Sequence, residues 1–254
     1  MTELFNLKGK TALVTGSSGG LGWTLARGLA EHGARIVLNG RSENKLASAA
    51  AALWDAGHDV AVYAFDVTDS RQVQEAVERI EREIGPIEIL VNNAGITRRG
   101  PLTELPQHDW DAVLQTNLTA PFLVAREVAK GMIERRRGKV VNICSLMSDL
   151  ARPTTGAYAA AKGGLKMLTK AMATEWTKHN VQVNGIGPGY FITEMTQKLA
   201  DDPAFDSWIK GRTPANRWGK PEELIGLTVF LASGASSFVS GQVIFVDGGL
   251  TACI

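Results

Sequence analysis

"TALVTGSSGGLGWTLARGLAEHG", Thr11–Gly33, joins a short β-branched run, a glycine-rich turn and a helical pattern without a break. TALVT reads as a strand. LGWTLARGLAEHG has apolar positions recurring at three and four residues, the period of an amphipathic helix. Between them TGSSGGLG, Thr15–Gly22, sets Gly16, Gly20 and Gly22 at a TGxxxGxG spacing. Glycines there permit a tight turn and let a pyrophosphate reach the backbone at a helix N-terminus, where free N–H groups and the helix dipole favour an anion. The purely structural alternative is a helix cap made by Ser17 or Ser18, with glycines used only for close packing. The strand-turn-helix context favours a dinucleotide site formed by Gly16, Ser17, Ser18, Gly20, Leu21 and Gly22.

The same alternation continues along the chain. RIVLN, VAVYAF, IEILVN, KVVNI, VQVNGI and VIFVD read as further strands, and segments such as SRQVQEAVERIEREIG read as helices between them. This pattern predicts an α/β fold: about seven strands in a doubly wound parallel sheet with helices on both faces. The strands are apolar enough to be covered on both sides. No linker, repeat or composition shift divides the chain, so residues 1–254 are expected to form one domain. Residues 189–216 are too long for an ordinary connection and are expected to form a substrate loop or lid.

Lys and Arg total 27 against 26 Asp and Glu, a net charge of +1, which lacks the basic footprint of a nucleic-acid binder. The opening MTELFNLKGK has no apolar signal stretch. No segment approaches the roughly 20 apolar residues that span a bilayer. The expectation is a soluble, cytoplasmic protein with neither nucleic-acid nor membrane partners. Cys144 and Cys253 have neither disulfide-framework numbers nor metal-ligand spacing, so no metal site is expected, and Cys144 should be a buried small hydrophobe. The basic run ERRRG, Glu134–Gly138, reads as a solvated helix end closed by Gly138.

Two further stretches carry chemistry. The second strand ends VLNGRSENK, where a carboxylate would bind a ribose 2′-hydroxyl and an arginine would accommodate a 2′-phosphate. With no acid before Glu43, Arg41 and Ser42 point to NADP, with NAD possible; for Arg41 the plain reading is a solvated loop arginine. In NICSLMSDLARPTTGAYAAAKGG, Asn142–Gly164, Tyr158 and Lys162 lie four residues apart in a helix-forming run, and so on one face. A cation beside a phenol favours the phenolate and lowers its pKa from about 10. Alone, this spacing also fits a half-buried aromatic beside a solvated lysine.

TGSSGGLG, Asp66-Val67, NNAG at Asn92–Gly95, Asn117, Ser145, YAAAK and Pro188-Gly189 together resemble the short-chain dehydrogenase/reductase family over essentially the whole chain. The resemblance implies a Rossmann-type fold and a tetrad of Asn117, Ser145, Tyr158 and Lys162. In it Tyr158 is the acid or base at the substrate oxygen and Ser145 positions that oxygen. Lys162 lowers the tyrosine pKa and holds the nicotinamide ribose, and Asn117 retains a water linking Lys162 to solvent. Asp66 and Val67 would meet the adenine. Asn93, Ala94, Gly95, Pro188, Gly189 and Thr193 would line the cofactor cleft. One departure concerns Gly19, which stands where many NADP-using members carry a basic residue, leaving Arg41 most of the 2′-phosphate recognition. Many members are homotetramers packed through the helices carrying Asn117 and Tyr158 and through the last strand.

The second half more closely resembles the sugar-acid branch of this family, which interconverts D-gluconate and 5-dehydro-D-gluconate with NAD(P). The small-molecule substrate would then be met by Ser145 and Tyr158 at the reacting oxygen, by Tyr190, and by one or more of Arg98, Arg99 and Arg152 at the carboxylate. The alternatives are a 3-oxoacyl carrier-protein reductase or another short-chain carbonyl reductase, and, outside the enzymes, a nicotinamide-sensing regulator. The complete tetrad argues against the regulator.

Overall fold

The computed structural model describes residues 3–194 and 196–253; Met195, within the expected lid, lies outside the described residues. Strands and helices alternate as β1 (Thr11–Val14), α1 (Gly20–Glu31), β2 (Arg35–Gly40), α2 (Glu43–Asp55), β3 (Val60–Ala64), α3 (Ser70–Glu83) and β4 (Ile87–Asn92). They continue as α4 (Gln107–Leu114), α5 (Ala120–Glu134), β5 (Gly138–Ile143), α6 (Gly156–Trp176), β6 (Val181–Pro188), α7 (Gln197–Ala200), α8 (Pro203–Arg212), α9 (Ile225–Ala232) and β7 (Val243–Val246). The seven strands form one sheet in the order β3-β2-β1-β4-β5-β6-β7, parallel throughout. All seven coincide with the runs expected from the sequence.

Strand periodicity explains why both faces are covered. Ala12, Val14, Ile36, Leu38, Ile89 and Val91 point into one core with Leu25, Leu29, Leu46 and Leu231 from α1, α2 and α9. The alternate residues Leu13, Val37 and Leu90 point into the other, with Val77, Ile80, Val124 and Val128 from α3 and α5. The strand order reverses between β2-β1 and β1-β4, and a ligand crevice opens at that point beyond the carboxyl ends.

One local reading changes. The basic run after α5 is not closed by Gly138: Arg136 adopts the left-handed conformation at φ 50°, and Gly138 already begins β5. Glycine is needed at 138 for another reason, since a Cβ there would lie 2.4 Å from Met132 Sδ. The run is also paired rather than simply solvated, Arg135 with Glu81 at 2.8 Å and Arg137 with the buried Glu88. The stretch 189–216, described except for residue 195, carries two short helices, α7 and α8. Tyr190, Phe205, Trp208 and Trp218 pack as a cluster with ring centroids 5.4–6.4 Å apart. Among the described residues, no helix is long and apolar enough to cross a membrane.

Candidate active site

A cleft of about 1300 Å³ runs along the carboxyl ends of the strands. Its floor is the turn from β1 into α1. Gly16 and Gly20 take left-handed φ values of 62° and 55°, and neither serine caps the helix: the N-cap position is Gly19, with no side-chain hydrogen bond. Ser17 is fully buried, donating to Val14 O (2.7 Å) and accepting from Asn39 N (3.0 Å), so it builds the turn without lining the cleft. A Cβ at Gly16 would approach Ala94 Cα at 2.8 Å, and one at Gly22 would meet Asn93 Nδ2 and Gly16 O at 2.4 Å. The uncapped α1 N-terminus and the close backbone approach it faces fit a dinucleotide pyrophosphate. Ser18, Gly20, Leu21, Gly22, Asn93, Ala94, Gly95, Pro188, Gly189 and Thr193 all line the cleft, as do Asp66 and Val67. Asp66 is not a helix cap: its carboxylate accepts from Thr68 N and Oγ1, and Asp69 caps α3.

At the far side of β2, Arg41 lines the cleft but Ser42 does not; the Ser42 hydroxyl accepts from Lys45 N and caps α2. Asn44, Lys45 and Ser48 line the wall instead. Asn39, which carried no expectation, is a buried staple: its amide accepts from Gly16 N (3.3 Å) and donates to Phe65 O (3.0 Å), joining β1, β2 and the end of β3. Only strand order brings those three backbones together.

The tetrad converges on the cleft. Ser145 leaves the end of β5, and its hydroxyl accepts from Met147 N at 3.2 Å. Ser148, which carried no expectation, accepts from Ser145 N and donates to Lys162 O (2.9 Å), tying this loop to α6. Tyr158 rises from α6 through a packing cluster with Val113, Ala157 and Ala161, and its phenol lies close enough to Ser145 to be favoured by it as the phenolate. Lys162 is buried and donates to Ile143 O at 2.6 Å, with its Nζ 5.7 Å from the Tyr158 ring centroid. Asn117 sits in a π turn, Gln115–Thr119, that interrupts the helix running from α4 into α5. Its side chain accepts from Ile96 N and donates to Ile96 O and Val113 O, at 2.9–3.2 Å.

Burial dominates the electrostatics here: it pushes the Tyr158 phenol up, opposed by Ser145. Burial also lowers Lys162 itself to about 8. The two share one cause: a pocket dry enough to disfavour phenolate disfavours ammonium as well. Spacing on a helix reports adjacency and says nothing of the dielectric. Cys144, buried as expected, has its thiol raised by the same desolvation.

The three arginines separate. Arg98 lines the cleft and pairs with Asp109 at 3.3 Å. Arg99 and Arg152 lie near each other and near Tyr190, beside the cleft lining proper. Burial lowers Arg99 first and the Arg152 charge second, with Tyr190 opposing. Burial raises the Tyr190 phenol, and both guanidiniums oppose that. Arg152 Nε is enclosed without a hydrogen-bond partner. The loops are held together by Gly100 N donating to Thr154 O (3.2 Å).

A doubly wound sheet, an open glycine turn and a Ser-Tyr-Lys-Asn constellation define a nicotinamide-type oxidoreductase, and the chain belongs to the short-chain dehydrogenase/reductase family. The family model described as enoyl-(acyl carrier protein) reductase matches residues 16–251. The chain is 55% identical over 249 residues to gluconate 5-dehydrogenase of Gluconobacter oxydans (strain 621H), covering 98% of this chain and 97% of that one. It is 53% identical over 254 residues to 2-dehydro-3-deoxy-D-gluconate 5-dehydrogenase of Formosa agariphila, covering 99% and 96%. A gluconate 5-dehydrogenase from Burkholderia cenocepacia J2315, solved with NADP and tartrate, superposes with a TM-score of 0.97 at 51% identity, covering 99% of each chain.

Proposed function

We propose that this protein is an NADP-preferring oxidoreductase that interconverts D-gluconate and 5-dehydro-D-gluconate. The observation that carries the reading is the grouping of Arg99 and Arg152 with Tyr190, with no ion pair to an acidic side chain among the described residues, in a chain whose tetrad lines one cleft. A ketone with a distant carboxylate needs both features. The relatives named above act on hexonate-type acids, and the solved relative holds NADP. Arg41, with Lys45 beside it on the wall, would take the 2′-phosphate; the glycine turn would take the pyrophosphate, and Asp66 the adenine.

In the reducing direction NADPH supplies the hydride to C5. Ser145 hydrogen-bonds the carbonyl oxygen, and Tyr158 gives that oxygen its proton, so the C=O becomes C–OH. Lys162, as the ammonium, stabilises the phenolate left behind and passes on a proton. Pro121 has no N–H, so the Asn117 carbonyl lacks an i+4 donor and is free to hold the relay water, while the Asn117 side chain is spent on Ile96 and Val113. Residues 189–216 act as the lid over the reacting carbon, and the whole chain works as one catalytic domain in the cytoplasm.

The sugar-acid reading is preferred to a carrier-protein reductase because an acyl arm presents no carboxylate to the arginine pair. A second hexonate, 2-dehydro-3-deoxy-D-gluconate, shares the carboxylate and the C5 centre. Oxidation of NADPH by 5-keto-D-gluconate, set against uncharged ketones and 3-oxoacyl thioesters, tests the proposal. Turnover of the keto acid no faster than of the uncharged ketones overturns it. Assembly as a homotetramer is part of the same reading, supported by the exposed apolar side chains Phe122 and Met167 on α5 and α6 and Phe238 before β7.

A further inference from the structure

We infer that Phe205, on α8, is a positioning residue for carboxylate recognition: its ring holds the Arg152 guanidinium where the acid end of the substrate is met, making the covering helix part of the anion site. This rests on the sugar-acid reading and extends it to a residue outside the cleft lining.

The Arg152 guanidinium lies over the Phe205 ring, 4.8 Å from its centroid. Its backbone is fixed independently, because Thr155 N and Oγ1 both donate to Arg152 O, at 3.2 and 2.8 Å. What remains to be placed is the side chain, and the Arg99 charge acting between the two guanidiniums is repulsive. An acidic partner would hold Arg152 but would occupy the donors a substrate needs, as Asp109 does for Arg98. An aromatic face attracts the cation through its quadrupole and leaves the in-plane N–H groups free. The ring is itself held, by Tyr190 at 5.8 Å, Trp208 at 5.4 Å and Trp218 at 6.3 Å, and Trp218 Nε1 donates to Asp206 on the same helix at 2.8 Å. Arg152 is thereby placed by α8 rather than by the loop that carries it.

The test compares Phe205→Leu, Phe205→Tyr, Arg152→Ala and the Phe205→Leu/Arg152→Ala double variant. Tartrate binding to the NADP-loaded protein is measured by calorimetry, and KM and kcat are measured for 5-keto-D-gluconate. Phe205→Leu should weaken tartrate binding and raise KM by about 3- to 30-fold, the range of a single cation–π contact, with kcat little changed. Phe205→Tyr keeps the ring face and should stay near wild type. In the Arg152→Ala background the leucine change should have almost no further effect. Equal losses in Phe205→Leu and Phe205→Tyr, additive losses in the double variant, or no loss of tartrate binding in Phe205→Leu would each overturn the inference. If wild-type protein fails to reduce 5-keto-D-gluconate but the tartrate series behaves as stated, the substrate reading falls and the role of Phe205 stands.

Discussion

Lys162 carries two opposing demands. Its folded pKa of about 8 lies below the 10.5 of an ordinary lysine, so the unfolded chain binds more protons between those values and stability rises with pH across that window. Below about pH 8 the full burial cost is present, roughly 3 kcal/mol at about 1.4 kcal/mol per pH unit. Lys162→Met should therefore be inactive yet more stable than wild type at pH 7, by about 1–3 kcal/mol after loss of the Ile143 hydrogen bond. Its advantage should shrink as denaturation is repeated towards pH 9.5. An advantage constant with pH would mean that Lys162 is not strained by burial. Tyr158→Phe should lower kcat by about 10²–10⁴ while NADPH affinity, followed by fluorescence, is nearly unchanged. At the cofactor wall, Arg41→Asp should shift the ratio of kcat/KM from NADPH towards NADH, by roughly 10- to 100-fold for one charge-assisted contact. Adding Gly40→Asp should deepen the shift, because a Cβ at 40 meets only ordinary contacts with Ser18 and Leu46. An unchanged ratio in Arg41→Asp removes that arginine from the site. These residues were legible because each has a side-chain chemistry and a place in a motif. Asn39 and Ser148 were not, because their partners come from other strands and helices.

The start of α1 and the π turn before α5 are held by crowding and by side-chain hydrogen bonds across elements. Gly22→Ala should lower NADPH affinity at least about tenfold and cost about 1–3 kcal/mol, since the added methyl sits at 2.4 Å from Asn93 Nδ2 and Gly16 O and the turn must open. Gly19→Ala, with an extended backbone and open space around it, is the matched control and should be nearly silent. Equal effects of the two would show that helix propensity, rather than crowding, governs the turn. Asn117→Ala removes the partners of the Ile96 N–H and C=O, and should cost about 1–3 kcal/mol in thermal unfolding as well as activity. The sequence marks both elements through glycine spacing and a polar residue in an apolar helix. It does not say that the helix widens at 115–119, which follows from the missing N–H of Pro121 and the Asn117 bonds made across to Ile96.

Among the described residues, Phe122 on α5, Met167 on α6 and Phe238 before β7 are large apolar side chains at 41%, 61% and 102% exposure. Strand β7 closes one edge of the sheet with all four residues only partly covered. Unpaired edges and apolar helix faces favour association. Met167→Glu with Phe122→Glu should convert a tetramer into a smaller species in sedimentation equilibrium, and Phe238→Glu should disrupt a different contact. A wild-type monomer, or a tetramer unaffected by either change, would remove assembly from the account.

The β-branched runs determined the seven strands, because a strand covered on both faces must be apolar at every position. The motif spacings determined the cofactor turn and the tetrad, because i,i+4 on a helix and glycine at a sharp turn are local geometry. What only the tertiary structure decided was non-local. Ser42 and Ser17 became architecture, because their hydroxyls found backbone partners first. Arg98 was paired with Asp109, while Arg99 and Arg152 repel each other and Arg152 lies over the Phe205 ring. The tetrad lysine met a buried pocket that lowers its own basicity. Each of these depends on which charges and dipoles, distant along the chain, share one low-dielectric space, a property of packing that no spacing encodes.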